Sequence, residues 1–364
     1  TGEDNTAVGK SSLDANTTGD FNTAVGKDAL GENTDADYNT AVGTSALAAN
    51  TTAGGGVAIG AFALNQNTTG EKNVAIGADC LEINTTGDRN TGVGYCALEN
   101  NTTANYNTAV GYEALESNNA ASNTAVGYQA LYDNTSGTLN VAVGNRALRD
   151  NTTGDNNVAL GHFALRFHET GDYNIAVGSN SLNTNTSGDK NSAIGYRAGF
   201  AVTTGDNNLF LGNEAGESSS PSGEVTTGSN NVVLGNNSIS NSYIKVDWTV
   251  TSDRRDKTDI TPFTHGLSWI NKLNPVTYRW DNRSFYEDGV PDGSKKGTQL
   301  NVGLIAQDEL EVEKEHGYGE TKDNMLVADI NDDGNYGMQY SKLVPILINA
   351  VKELSAKVAA LEAA

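Results

Sequence analysis

An aliphatic residue followed by glycine recurs along the first two-thirds of the chain, with a small residue before it and a polar stretch behind it. The glycines fall at 9, 26, 43, 60, 77, 94, 111, 127, 144, 161, 178, 195 and 212, in steps of 17 residues with a single step of 16 before 127. A fourteenth copy ends at Gly235 after a six-residue insertion around the run GESSSPSGE. The unit reads N-T-A-V-G-x-x-A-L-x-x-N-T-T-G-D-x. Fixed-period self-similarity of this kind dictates the architecture before any local propensity does.

Each column has a physical meaning. The residue before the glycine is always Val, Ile or Leu, and the one before that is Ala or Gly until Phe210 and Val233. Four residues after the glycine, leucine runs unbroken from Leu13 to Leu182, and seven after it Asn recurs from Asn16 to Asn151 and again at Asn185. Short β-prone runs separated by N-T-T-G-D turn chemistry predict strands and turns. Seventeen residues suit one coil of a parallel β-solenoid, which turns the columns into Val/Ile, Leu and Asn ladders about 4.8 Å per step. Thirteen steps make a rod about 60 Å long. The Val column and the Leu ladder are expected to fill the coil interior. The Ala/Gly column is then expected to face outward and admit another backbone, which predicts a homotrimer built on that face. The pattern is similar to the head repeats of trimeric bacterial adhesins, whose units are typically shorter.

Composition narrows the function classes. With 41 glycines, 7% aromatics and a net charge of −22, the chain does not read as an ordinary enzyme. Residues 1–251 hold 10 Lys and Arg against 26 Asp and Glu, with no basic stripe in the sequence. Such a surface repels nucleic acid and anionic lipid, so neither is expected as a partner. No apolar run is long enough to span a membrane. The first residues already sit in the repeat without an initiating Met, which reads as part of a longer protein. Cys80 and Cys96 fall in different columns and are expected as free thiols, one buried and one exposed, suited to a reducing cytosol. The N-T-T and N-T-S triplets read as turn and ladder residues rather than glycosylation acceptors.

After Gly235 the repeat stops. A β-prone run, Ser242 to Val250, leads to Thr251-Ser252-Asp253-Arg254-Arg255-Asp256-Lys257, beyond which the composition becomes that of an ordinary globular domain. Three domains follow: the shaft over 1–235, a connecting β segment over 236–251, and a small α+β domain over 252–364 ending in a helix over 341–364. A Lys amine five residues from a Ser hydroxyl can act as its base when neutral. Ser-Asp at a strand end also reads as a turn or helix cap.

The surrounding residues go further. S-D-R-R-D-K-T-D-I resembles the S-D-x-R-x-K-x-x-I signature that opens the intramolecular chaperone auto-processing domain of phage endosialidases and tail fibres. Ser252, Asp253, Arg255, Lys257 and Ile260 are the matching positions. The likeness continues through Leu273–Trp280, Gly303–Asp308 and Tyr340–Leu354. It implies cleavage between Thr251 and Ser252, with Ser252 as nucleophile, Lys257 as general base, and Asp253 and Arg255 in support. Attack on the preceding carbonyl would leave an ester that water resolves.

Val344, Leu347, Val351, Leu354, Val358 and Leu361 alternate spacings of three and four, a heptad seam that would be marginal without a partner. Asp329 to Asn335 starts like a calcium loop but lacks the acidic twelfth ligand, where Tyr340 stands, and reads as a polar hairpin. The four histidines have no metal spacing. No metal or cofactor site is expected, and no catalytic carboxylate pair stands in the shaft.

The expected function is a homotrimeric phage tail fibre, assembled in the host cytoplasm and contacting a host cell-surface receptor. Its chaperone domain would register three chains and be released by cleavage. A bacterial trimeric surface adhesin carrying the same chaperone, and a fragment of a glycan-degrading tailspike, are the alternatives.

Overall fold

The computed structural model describes residues 2–239, 241–245, 250–283, 286–287, 289–330 and 334–364. They divide into two compact units, Thr1–Ser238 and Ile239–Ala364. In the first, fourteen three-residue strands, β1 (Thr6–Val8) to β14 (Val232–Leu234), form one parallel sheet in sequence order. Each strand residue pairs with its counterpart one repeat on, as in Ala41 with Ala58 and Val42 with Ile59. One repeat is therefore one coil of a β-solenoid.

The glycine column is fixed by how closely coils stack. Gly60 has φ +141°, and a Cβ there would stand 2.3 Å from the Gly77 carbonyl oxygen. Any side chain would push adjacent coils apart, and a positive φ adds strain for a non-glycine residue. Other corners accept that strain. Leu13 through Leu182 all have φ between 47° and 57°, a conformation costing about 1–2 kcal/mol per residue. From Leu30 on these side chains are fully or almost fully buried, and burial worth about 1.5–3 kcal/mol each offsets the strain.

The two faces of the strand are the reverse of the sequence expectation. Ala58, Ala63 and Leu64 are 0% exposed, whereas Ile59, just before the glycine, is 40% exposed. The same holds along the shaft: the alanine column lies inside and the Val/Ile column outside. Volume decides this rather than hydrophobicity. The interior of one coil holds one leucine and two alanines, and at native packing density a valine in place of an alanine would overfill it. The Ala/Gly column is thus interior, and it cannot be the face that admits another chain.

Two asparagine ladders run through the shaft. Seven after the glycine, Asn33 donates to Asn16 Oδ1 at 2.9 Å and Asn50 to Asn33 Oδ1 at 3.0 Å. Four before it, Asn39 Oδ1 accepts the Gly56 N–H at 2.8 Å while Asn39 Nδ2 donates to the Ala53 carbonyl at 3.0 Å. These amides satisfy backbone groups that the corners would otherwise bury unpaired. The short repeat is absorbed the same way. Asn119 Oδ1 accepts from Thr102 N at 3.2 Å and Thr102 Oγ1 at 2.9 Å, where a backbone carbonyl serves in the coil before (Thr85 N to Thr102 O, 2.8 Å). Strand register therefore passes unbroken from Ala109 to Ala125.

Both cysteines are free and both are buried, so the exposed position expected for Cys96 is corrected: the residue is 7% exposed. Burial pushes each thiol up to about 12, which leaves them unreactive near neutral pH.

In the second unit, α1 (Leu267–Ile270), α2 (Ala306–Glu315) and α3 (Leu343–Glu362) accompany two antiparallel strand pairs, β15 (Val276–Tyr278) with β16 (Asn301–Gly303) and β17 (Ala328–Ile330) with β18 (Tyr336–Met338). Trp269, Val312, Val327, Leu343 and Ile346 form the core. Asn331–Asp333 of the calcium-like loop and residues 246–249 of the connecting segment lie outside the described residues. Helix α3 has two apolar faces. Leu343, Ile346 and Ala350 are buried against this unit, while the heptad residues Val344, Leu347, Val351, Leu354, Val358 and Leu361 are 45–77% exposed. No helix among the described residues is long and apolar enough to cross a membrane.

Candidate functional site

The segment that carries the Ser–Lys pair folds into one tight turn. Asp253 stands at its head, with its carboxylate accepting the Arg255 N–H at 2.8 Å, and a single 3₁₀ turn covers Arg254–Asp256. Capping of this kind satisfies a donor that the turn leaves open. The same carboxylate also receives the Arg255 guanidinium, Nη2 at 2.7 Å and Nε at 3.1 Å. The guanidinium hydrogen bond and the backbone N–H together hold the Asp253 carboxyl below its usual range, and that carboxylate pushes Arg255 up. Lys257 closes the turn with its N–H on the Arg254 carbonyl at 3.3 Å. The reversal returns the lysine side chain to the serine: Lys257 Nζ lies 2.5 Å from Ser252 Oγ.

Thus Ser252, Asp253, Arg255 and Lys257 converge in one turn, as one nucleophile-and-amine contact and one ion pair that shapes the loop. Thr251, Ser252 and Lys257 are all exposed in this single chain. A hydroxyl touching an amine beside a peptide carbonyl is the arrangement that nucleophilic attack requires, provided that the amine is neutral when it accepts the proton. Among the described residues no group of three or more His, Cys, Asp or Glu could hold a metal.

Blocks far apart in the sequence meet in this unit. Val276–Tyr278 pairs with Asn301–Gly303, and Tyr340 Oη accepts the Leu304 N–H at 2.9 Å, so residues of the three later blocks of the resemblance meet at one antiparallel ladder. The sequence reading missed two buried carboxylates on α2. Glu313 is 0% exposed and accepts from Leu326, Val327 and Ala328 N–H groups at 2.6–2.7 Å. Glu309 is 2% exposed and accepts Trp269 Nε1 at 2.8 Å. Their spacing of four on an amphipathic stretch was the available signal, but it is shared with solvated helix faces.

Residues 252–318 match the model of the family described as chaperone of endosialidase, and the match begins at Ser252 itself. No curated protein and no solved structure matches the chain. The family carries an autoproteolytic peptidase activity together with its assembly role. The segment that opens with Ser252 is thus similar to the chaperone-of-endosialidase family over residues 252–318, and together with a β-solenoid shaft this fits a tail fibre with a C-terminal chaperone domain.

Proposed function

We propose that this chain is a phage tail fibre that assembles as a homotrimer, contacts a host cell-surface receptor, and releases its chaperone by cutting between Thr251 and Ser252. The 2.5 Å contact between Lys257 Nζ and Ser252 Oγ, at the first residue of the family match, carries the reading. Ser252 Oγ bonds to the Thr251 carbonyl carbon as the C–N bond breaks. The hydroxyl proton passes through the neutral Lys257 amine to the departing Ser252 nitrogen. Water then hydrolyses the ester, leaving a carboxylate on Thr251 and a free amine on Ser252.

Two exposed apolar surfaces support the trimer. The outward strand column includes Ile76, Leu160, Ile194 and Leu211 at 37–45% exposure, and a contiguous apolar patch of that length on a solvated rod marks an interface. Helix α3 offers its exposed heptad seam as the second. Both surfaces repeat with this chain's own periods, so further copies match them. Cytoplasmic assembly accords with two unoxidised thiols.

Intact mass of freshly expressed protein tests the reading. Fragments of 251 and 113 residues are expected without added protease, and Ser252→Ala stays whole. A wild-type chain that remains full length after folding overturns it.

A further inference from the structure

Stacking overturns the expectation that basic residues form no stripe. The shaft has five arginines, and four of them, Arg146, Arg149, Arg166 and Arg197, fall in coils between Gly144 and Gly212. Residues 17 apart in sequence become neighbours about 4.8 Å apart, so Arg149 and Arg166 are successive rungs of one column. Each guanidinium lies on an aromatic ring: Arg146 over Tyr128 at 5.4 Å, Arg149 over Tyr132 at 5.9 Å and Arg197 over Phe200 at 3.9 Å. Arg166 is held between Phe163 at 4.7 Å and Phe167 at 4.5 Å. Arg146 and Arg197 each stand two residues after their repeat glycine, and Arg149 and Arg166 five after theirs, so stacking sets them in two neighbouring columns. Asp150 lies beside them, its carboxyl raised by burial, lowered by Arg149, Arg166 and Arg146, and raised by Glu169.

The polar ends of this ridge are incompletely used. Arg197 is paired with Glu217 and Arg149 with Asp150. Arg166, half-buried, has no ion pair among the described residues. Aromatic faces hold the guanidinium planes while leaving N–H edges for a planar anion. Phe167 and Tyr128 are 39% and 40% exposed beside them, which supplies apolar surface for a ring face. These columns are distinct from the outward strand column proposed for the trimer contact.

We infer that the arginine–aromatic ridge between Tyr128 and Phe200 is the receptor contact of the shaft, and that it takes an acidic polysaccharide whose carboxylates engage Arg149 and Arg166. The inference rests on the receptor-binding reading above and gives its ligand a chemical class. A nucleic acid is the rival polyanion, and the oligonucleotide arm of the test separates the two.

Binding of the full chain to polygalacturonate, neutral dextran and a single-stranded oligonucleotide, measured by calorimetry at two salt concentrations, tests it. Polygalacturonate is expected to bind and dextran not. Arg149→Gln with Arg166→Gln should weaken binding at least ten-fold, and Arg166→Lys, which keeps the charge but loses the planar fork, should weaken it less. Arg89→Gln, away from the ridge, should leave it unchanged. Equal binding by the double variant, tighter binding of the oligonucleotide, or no binding of polygalacturonate overturns the proposal. If the double variant melts early, Phe167→Ala decides in its place, with the same expected loss. Cell binding separates the two readings: wild-type and double variant binding bacteria equally sinks the ridge alone, whereas polygalacturonate binding without any cell binding sinks the receptor role.

Discussion

The sulfur of Cys80 occupies the space that the alanine column leaves empty at Gly92. A Cβ on Gly92 would stand 2.5 Å from Cys80 Sγ, and both residues depart from alanine columns one coil apart. The cysteine is a filler for one missing methyl group. Gly92→Ala alone should cost roughly 1–3 kcal/mol through overpacking. Cys80→Ala alone should cost about 1 kcal/mol by opening a small void. The double variant restores the repeat and should be at least as stable as the parent, since alanine also reduces unfolded-state freedom. A thermal-melt double-mutant cycle reads the coupling, and additive effects would refute the pairing.

Phe210 is the same device on a larger scale. The leucine column ends at Leu182 and is replaced by Gly199 and Gly216, where added Cβ atoms would stand 2.8 Å and 2.3 Å from the Phe210 ring. One ring in an alanine position thus fills two vacated leucine positions. Phe210→Ala should cost about 3–5 kcal/mol, lowering the melting temperature of the shaft, while Phe210→Leu should recover part of it. A Phe210→Ala shaft that melts with the parent would refute this account.

These pairs mark what the sequence made legible. Period, strand positions, coil count and the end of the shaft all follow from columns. Which column faces inward did not, because Ala-Val alternation is apolar on both sides and only the volume left by Leu64 and its fellows chooses between them. The left-handed leucines were hidden too, since leucine has no local preference for positive φ. In the second unit the motif placed Ser252 and Lys257 together, whereas Glu309 and Glu313 carry no pattern that distinguishes them from exposed helix carboxylates. Arg149 and Arg166 became a pair only once coils were stacked.

Asp253 is a positioning residue if the dyad cuts. Its carboxylate caps the turn and holds Arg255, and neither contact touches the scissile bond. Asp253→Ala should slow appearance of the 113-residue fragment several-fold, and Asp253→Asn, which keeps a cap acceptor, should slow it less. Lys257→Ala should abolish cutting. Rates from time-resolved intact mass check all three, and a Lys257→Ala chain that cuts normally removes lysine from the mechanism.

Glu309 makes the second unit sensitive to pH. Its carboxyl is pushed up to about 7, first by burial and further by the nearby Glu313, against the lowering effect of the Trp269 bond. The folded state therefore holds a proton that the unfolded chain releases near 4.5. Below that pH the group has no effect on stability. Between there and about 7 stability falls as pH rises, by about 3–4 kcal/mol at most, and above 7 the loss is constant. Glu309→Gln keeps an oxygen for Trp269 Nε1 and removes the charge. Denaturant melts of the second unit at pH 5 and pH 8 should differ for the parent and converge for the variant; an equal difference in both would assign the effect elsewhere.

Register between chains is where the chaperone is expected to act. Within one chain, covalent continuity fixes which coil stacks on which. Between chains, the proposed contact uses the outward strand residues, and these scarcely distinguish one coil from the next. Ile59, Ile76, Val110, Val126 and Val143 present similar side chains at similar exposure, so a partner displaced by one coil would retain most of its contacts. The irregularities give little help. Asn119 absorbs the 16-residue step without disturbing strand register, and Phe210 is 0% exposed. Of the breaks in the repeat, the six-residue insertion after Gly212 is the largest. On the proposed trimer, a heptad seam at the C-terminal end of the chain would set register before the shafts close, because a coiled coil displaced by a few residues loses its apolar match. Residues 1–251 made alone should therefore give mixed registers or aggregates, while the same shaft made with its chaperone should be one species with a sharp, higher melt. Light scattering and calorimetry of the two preparations check this. An equally uniform, equally stable trimer from the shaft alone would show that register is encoded in the shaft and would leave the chaperone without that role.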